Sequence, residues 1–216
     1  MMLMTTNNAF TEVIENLHFS LDHKMKTATL LPKMNEHYSG DIILPEKVKD
    51  NNGVEYSVIA LEDSCFENCN GLTSIDIPSS VTSLGDHCFA DCSGLTSIEI
   101  PSFVSSLGRM CFEDCSSLTS IKIPSSVTSL GEYCFSGCSS LTSIIIPSSV
   151  TSLGENCFMC SFNLKSIYFK GMDPKYLSEA FIPTTCRIYV LDEYLVDYKY
   201  ALGTDYMYIY TWNPKE

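Results

Sequence analysis

Apolar and polar positions recur every 23 residues through the middle of the chain, so that rows starting at Leu72, Leu95, Leu118 and Leu141 superimpose almost without change. Each row reads close to L-T-S-I-x-I-P-S-S-V-T-S-L-G-x-x-C-F-x-x-C-S-x. A fixed period of this length predicts a stack of coils, and it settles the architecture before any local element is assigned. Within a row, Ile75 and Ile77 alternate with Ser74 and Asp76, the period of two expected for a strand with one buried face. Pro78 has no N–H for a sheet and ends the strand. Val81 and Leu84 give a second inward pair, and Gly85 permits the next bend. From Asp86 to Cys92 the apolar residues Cys88, Phe89 and Cys92 fall at helical spacing, which predicts one or two helical turns. No single coil can bury these side chains, so neighbouring coils must stack to close the core.

Partial rows flank the four full ones. Val58, Leu61, Cys65, Phe66 and Cys69 keep the second half of a preceding row, and Leu164, Ile167, Phe169, Ala180 and Phe181 stay in register after the last. The expectation is a right-handed β/α solenoid of about six coils over residues 54–186, capped at both ends. Residues 1–53 form the N-terminal cap and entry segment. There Leu17, Phe19 and Leu21 alternate, as do Thr27, Thr29 and Leu31, about a turn near Asp22-His23-Lys24, which reads as a hairpin. Residues 187–216 form the C-terminal cap. From Tyr189 onward the chain carries seven of its 12 tyrosines and its single tryptophan, Trp212. These rings seal the last coil, or else offer a ligand a flat aromatic platform.

Charge narrows the partners. With 26 acidic against 13 basic side chains and a net charge of −13, the chain repels phosphate backbones and anionic lipids, so neither nucleic acid nor a membrane surface is expected. No run of apolar residues is long enough to span a bilayer. The start, Met1-Met2-Leu3-Met4-Thr5-Thr6-Asn7-Asn8, lacks the basic flank and apolar run of a secretory signal, so the chain as written reads as unexported and cytoplasmic.

The 11 cysteines invite metal or disulfide chemistry, yet the repeat argues for filler. The column Cys65, Cys88, Cys111, Cys134, Cys157 continues as Ala180, which neither coordinates nor cross-links. Cys69, Cys92, Cys115 and Cys138 are followed by Ser161 and Thr184. Both columns behave as slots for small side chains, where free cysteine serves as a small hydrophobe. Zinc-ligand spacing is missing. Stacked thiols about 4.8 Å apart are near enough for oxidative cross-linking without requiring it. Cys157-Phe158-Met159-Cys160 resembles a redox pair only in spacing. Cys160 and Cys186 lie outside both columns and are the expected reactive thiols.

No catalytic constellation emerges. His18, His23, His37 and His87 are scattered and read as solvated surface histidines, with no serine, cysteine or acid recurring beside them. Asp76, Glu99, Asp86 and Asp91 follow the repeat along open surfaces and are not opposed across a cleft, although such acidic ridges can hold cations weakly. The expectation is a non-enzyme without cofactor or metal.

Recognition would use the outward strand positions. One column is constant, Ser74, Ser97, Ser120, Ser143 and Ser166; the next varies, Asp76, Glu99, Lys122, Ile145 and Tyr168. Variation at positions free of packing suits an adaptable binding face, and equally an idle solvated one. Ile145 beside Tyr168 would make an exposed apolar patch of the kind that marks interaction sites, predicting a protein partner at that end. Alternatively the Ser columns with Thr73, Thr96, Thr119 and Thr142 contact glycans or a polymer surface, or the solenoid is only a spacer.

The motif I-P-S-S-V-T-S-L-G followed by C-F-x-x-C-x-x-L, spanning about Val54 to Phe181, resembles the BspA-like leucine-rich repeats of bacterial and some protist proteins, which usually have Ala-Phe where this chain has Cys-Phe. Ser39-Gly40-Asp41-Ile42-Ile43-Leu44-Pro45 with Gly53-Val54-Glu55-Tyr56-Ser57-Val58, and Arg187-Ile188-Tyr189-Val190, are similar to the entry and exit segments of such proteins in gut Bacteroidetes. The resemblance implies a leucine-rich-repeat solenoid, no catalytic residues, and a role in adhesion to host or matrix proteins or between cells, usually at the cell surface.

Overall fold

The computed structural model of the chain describes residues 9–171, 173, 177, 179–202 and 208–213; the opening Met1–Asn8 and Tyr206 lie outside them. Three antiparallel strands begin the fold, β1 (Ala9–Ile14), β2 (Leu17–Asp22) and β3 (Thr27–Leu31). Leu17, Phe19 and Leu21 face inward with Ala28 and Leu30, so in β3 the buried residues are the two that alternate with Thr27, Thr29 and Leu31. Strands β4 (Gly40–Ile43), β5 (Lys47–Lys49) and β6 (Glu55–Leu61) carry the chain into the coils.

Each coil contributes two short strands: β7 (Leu72–Asp76) and β8 (Ser83–Leu84), then β9 (Ser97–Glu99) and β10 (Ser106–Leu107), β11 (Ser120–Lys122) and β12 (Ser129–Leu130), and β13 (Ser143–Ile146) and β14 (Ser152–Leu153). β15 (Ser166–Phe169), β16 (Arg187–Val190), helix α1 (Leu195–Leu202) and β17 (Ile209–Thr211) close the molecule. The even-numbered repeat strands extend the N-terminal sheet in the order β3-β6-β8-β10-β12-β14. The other wall is not the unbroken sheet that stacking suggests. It consists of three parallel groups, β4-β7, β9-β11 and β13-β15-β16-β17. Pro78, Pro101, Pro124 and Pro147 close β7, β9, β11 and β13 after a few residues, leaving little room for a continuous set of sheet bonds.

Among the described residues, the third wall of the coils has turns in place of the predicted helical segments. Asp86–Cys92 is a run of turns, bounded by left-handed His87 (φ 55°) and Asp91 (φ 58°). Its alternate N–H groups, at His87, Phe89 and Asp91, donate to the carbonyls of Arg109, Cys111 and Glu113 in the next coil at 2.8, 2.9 and 2.8 Å. A helix points its N–H groups along its own axis; these point between coils, and the left-handed residues turn them there.

The core is a column of buried rings. Phe66, Phe89, Phe112, Phe135 and Phe158 stack with centroids 5.2, 5.4, 5.6 and 6.0 Å apart and nearly parallel planes. Burying each ring contributes about 2–3 kcal/mol. Tyr38 covers the first ring at 4.9 Å, its hydroxyl donating to the Leu31 carbonyl and accepting from the His18 N–H; burial pushes that phenol up to about 12. Phe181, expected next in the stack, instead turns its ring to solvent, 51% exposed at φ 47°, while Ile182 and Leu177 are buried. Thr184 likewise leaves the second cysteine column: it is exposed, and Cys186 is the buried residue there.

Candidate interaction face

Because Ile75, Ile98, Ile121, Ile144 and Ile167 point inward, their neighbours point out. Asp76, Glu99, Lys122 and Ile145 are exposed and Tyr168 is half-buried; Ser74, Ser97, Ser120 and Ser143 are exposed and Ser166 half-buried. The sheet registers align them into two columns, with Glu99 beside Lys122 and Ile145 beside Tyr168. The variable column runs further than the repeat alone indicates. β16 sets Tyr189 beside Tyr168, β17 sets Tyr210 beside Tyr189, and at the other end β4 sets Ile43, 77% exposed, beside Asp76.

The C-terminal end of this column is a stack of rings. Tyr168 and Tyr189 lie 4.5 Å apart at 11°, Tyr189 and Tyr210 5.5 Å apart at 29°, and Trp212 meets Tyr168 edge-on at 5.0 Å. Stacking supports each ring from its neighbours, and Tyr168, Tyr189 and Trp212 are half-buried by it while Tyr210 is exposed. Among the described residues, the terminal rings occupy two places. Tyr198 is buried against Phe169 and seals the last coil; Tyr189, Tyr210 and Trp212 belong to the outer face. One signal for this lies in the sequence: Ile167-Tyr168, Ile188-Tyr189 and Ile209-Tyr210 repeat one pattern, but the spacing shortens to 21, which a 23-residue frame passes over.

The Ser and Thr hydroxyls look inward more than their exposure implies. Thr119 donates to the Thr96 carbonyl at 3.2 Å and Thr128 to that of Ser105 at 3.1 Å, binding coil to coil. Thr73 and Ser74 both donate to Asp41 Oδ1, at 2.7 and 2.6 Å, and these bonds hold the Asp41 carboxyl below its usual range.

The cysteines are filler with a refinement. All are free and only Cys160 is exposed. In the second column, Cys92, Cys115 and Cys138 each donate Sγ–H to the carbonyl of Phe66, Phe89 and Phe112 at 3.1 Å, and Ser161 donates to that of Phe135 at 2.7 Å. The slot selects a small side chain with a donor. Cys186 is corrected: it is buried, and burial pushes its thiol up to about 12, which suppresses the nucleophilic thiolate.

The histidines do not share one environment. His23 is half-buried, edge-on to Phe10 and Tyr56, with Nδ1 at the Tyr56 hydroxyl, which itself donates to Asp50. His87 meets the Arg109 guanidinium at 3.2 Å. Asp76, Glu99 and Asp86 are exposed, whereas Asp91 is partly buried, and that burial, with Asp114 and Glu67 nearby, raises its carboxyl. Among the described residues no group of three or more His, Cys, Asp and Glu side chains is placed to hold a metal ion, and no helix is long and apolar enough to cross a membrane.

The chain is similar to a leucine-rich cell surface protein of Faecalibacterium prausnitzii, 27% identical over 93% of this chain with a TM-score of 0.65. It shares its fold with a leucine-rich repeat protein of Bacteroides ovatus (24% identity over 85% of the chain, TM-score 0.63) and with the leucine-rich repeat protein TpLRR of T. pallidum (22% over 90%, TM-score 0.62). It spans about half of the first two, 54% and 56%, and 83% of the third. No curated protein matches its sequence. The neighbours named here and the matching family are leucine-rich repeat proteins. The model of the BspA type leucine rich repeat region matches residues 59–184 in six copies, more than half of the sequence, and the chain belongs to that family.

Proposed function

We propose that the chain is a non-catalytic interaction module of the adhesion type, which holds a protein partner against the outward face of its strands at the aromatic end. The observation that carries this reading is the run Ile145, Tyr168, Tyr189 and Tyr210, four successive apolar or aromatic positions on the outward face, with Ile145 and Tyr210 exposed and Tyr168 and Tyr189 half-buried. Ile145 is 45% exposed. Tyrosines held rigid by stacking give large contact area at small entropic cost, as the anchors of protein interfaces do. Ser143, Ser166 and Arg187 in the adjacent column supply a polar rim. A cell-surface setting, the character of the Faecalibacterium relative, suits such a face. The Ser and Thr columns are weaker glycan contacts, since several of those hydroxyls are donated within the solenoid.

Ile145→Asp and Tyr189→Asp, made singly, place a charge on the face without touching the ring core. A partner captured by the parent chain should be lost, by at least about tenfold in affinity, with each variant, while the melting temperature falls by less than about 4 °C. A partner retained by both variants would place binding elsewhere, and a chain that captures nothing in either form would favour the spacer reading.

A further inference from the structure

Beyond the sheet face, the ends of β16 and β17 open onto a shallow cleft of about 730 Å³ lined by Leu191, Asp192, Glu193, Thr211, Trp212 and Asn213. This is within the range of small-ligand sites, roughly 300–1,000 Å³. We propose that it binds a neutral saccharide, with Trp212 as the stacking platform and Asp192, Glu193 and Asn213 as partners for its hydroxyls.

A pyranose ring has an apolar face of C–H bonds and a rim of hydroxyls that both donate and accept. Its receptor therefore needs a flat aromatic surface beside planar polar side chains that take adjacent hydroxyls. Among the described residues, the cleft lining holds that combination. Trp212 is set in advance: its ring meets Tyr168 in an edge-to-face contact, and its backbone N–H donates to the Val190 carbonyl at 2.8 Å, anchoring the main chain that carries the ring. Fixing the platform before the ligand arrives removes part of the ordering cost that weak carbohydrate binding must overcome. Asp192, Glu193, Thr211 and Asn213 are exposed around it.

The same lining disfavours other ligands. Two carboxylates repel an anion, and two carboxylates with an amide and a hydroxyl are a costly wall for an apolar guest. A cationic guest on the ring meets the like charge of Lys170, whose ammonium stands 6.0 Å from the Trp212 ring centroid, whereas a neutral ring can stack on the opposite face.

Trp212 is the only tryptophan in the chain, so emission excited at the red edge of indole absorption, where tyrosine does not absorb, reports the surroundings of this one ring. The full chain is titrated with glucose, galactose, mannose, N-acetylglucosamine and their short β-linked oligomers, with glycerol and choline chloride at matched concentrations as controls. A saturable spectral change is expected with at least one sugar and with neither control, at a Kd of about 1 mM or tighter. It should weaken at least about tenfold in Asp192→Ala combined with Glu193→Ala, and persist in Ile145→Asp, so that this inference and the protein-docking reading stand or fall separately. No saturable response across the sugars, an equal response to choline, or undiminished binding in the double variant would overturn it.

Discussion

Ten thiols are buried and one is exposed, and this asymmetry gives the cysteines testable chemistry. Burial holds the buried thiols in the protonated, unreactive form. Iodoacetamide at pH 8 should therefore label the native chain once, at Cys160, and the unfolded chain at every cysteine; mass spectrometry of the two digests decides it. The two columns should also differ. Cys138→Ser keeps a donor for the Phe112 carbonyl, as Ser161 does for Phe135, and should cost under about 1 kcal/mol. Cys134→Ser puts a hydroxyl into a slot that ends as Ala180 and should cost about 2 kcal/mol or more. Equal losses in denaturant titration would refute the distinction. The sequence exposed the small-slot rule through Ala180 and Ser161 but not the Phe carbonyl waiting in the second slot, because that acceptor sits 26 residues away in the chain. It misjudged Cys186 and Thr184 for a related reason: the last coil is shorter, and the register moves.

The strands were legible because alternation and proline boundaries are local. The turn wall was not, since Cys88, Phe89 and Cys92 have helical spacing while the bonds that decide the backbone reach the next coil. Gly131 is another case. Its φ is not left-handed; a Cβ there would stand 2.5 Å from the Gly108 carbonyl carbon and 2.6 Å from the Arg109 nitrogen. The glycine is required by the close approach of coils, more than by the bend itself. Gly131→Ala should destabilise the chain by about 2 kcal/mol or more, as overpacked sites do, and a calorimetric loss below about 0.5 kcal/mol would show that the coils can separate at no cost. The aromatic face was half legible: Ile145 and Tyr168 lie in the 23-residue frame, but Tyr189, Tyr210 and Trp212 join them through 21-residue spacings that only the strand registers make plain.

Taken together the coils form one stack whose thiols titrate as a set. An isolated thiol ionises near pH 9, whereas burial raises the folded thiols, Cys157 and Cys186 to about 12. Folded values above unfolded ones mean that this stability is complete below about pH 9 and is lost as the pH rises through the folded range. Each such thiol removes up to about 1.4 kcal/mol per pH unit. Ten of them can exceed a whole domain's usual stability of roughly 5–15 kcal/mol within one or two units. Cooperative unfolding between about pH 9.5 and 11 in the presence of reductant is expected by circular dichroism; a chain as stable at pH 10.5 as at pH 8 would contradict the burial of the columns. The net charge of −13 acts in a complementary way, keeping the stack dispersed and favouring partners with basic margins around the apolar contact.

The claim that recognition is concentrated at the aromatic end of the outward face can be tested by position-specific photo-crosslinking. A benzophenone side chain is placed in turn at Tyr189, at Glu99 near the acidic end, and at the exposed Phe103 outside the strands, and each chain is irradiated in contact with cells and extracellular material of its source. Adducts that concentrate at position 189 and are suppressed by Ile145→Asp are the predicted result. Adducts concentrated at position 103, or distributed equally over the three sites, would contradict it.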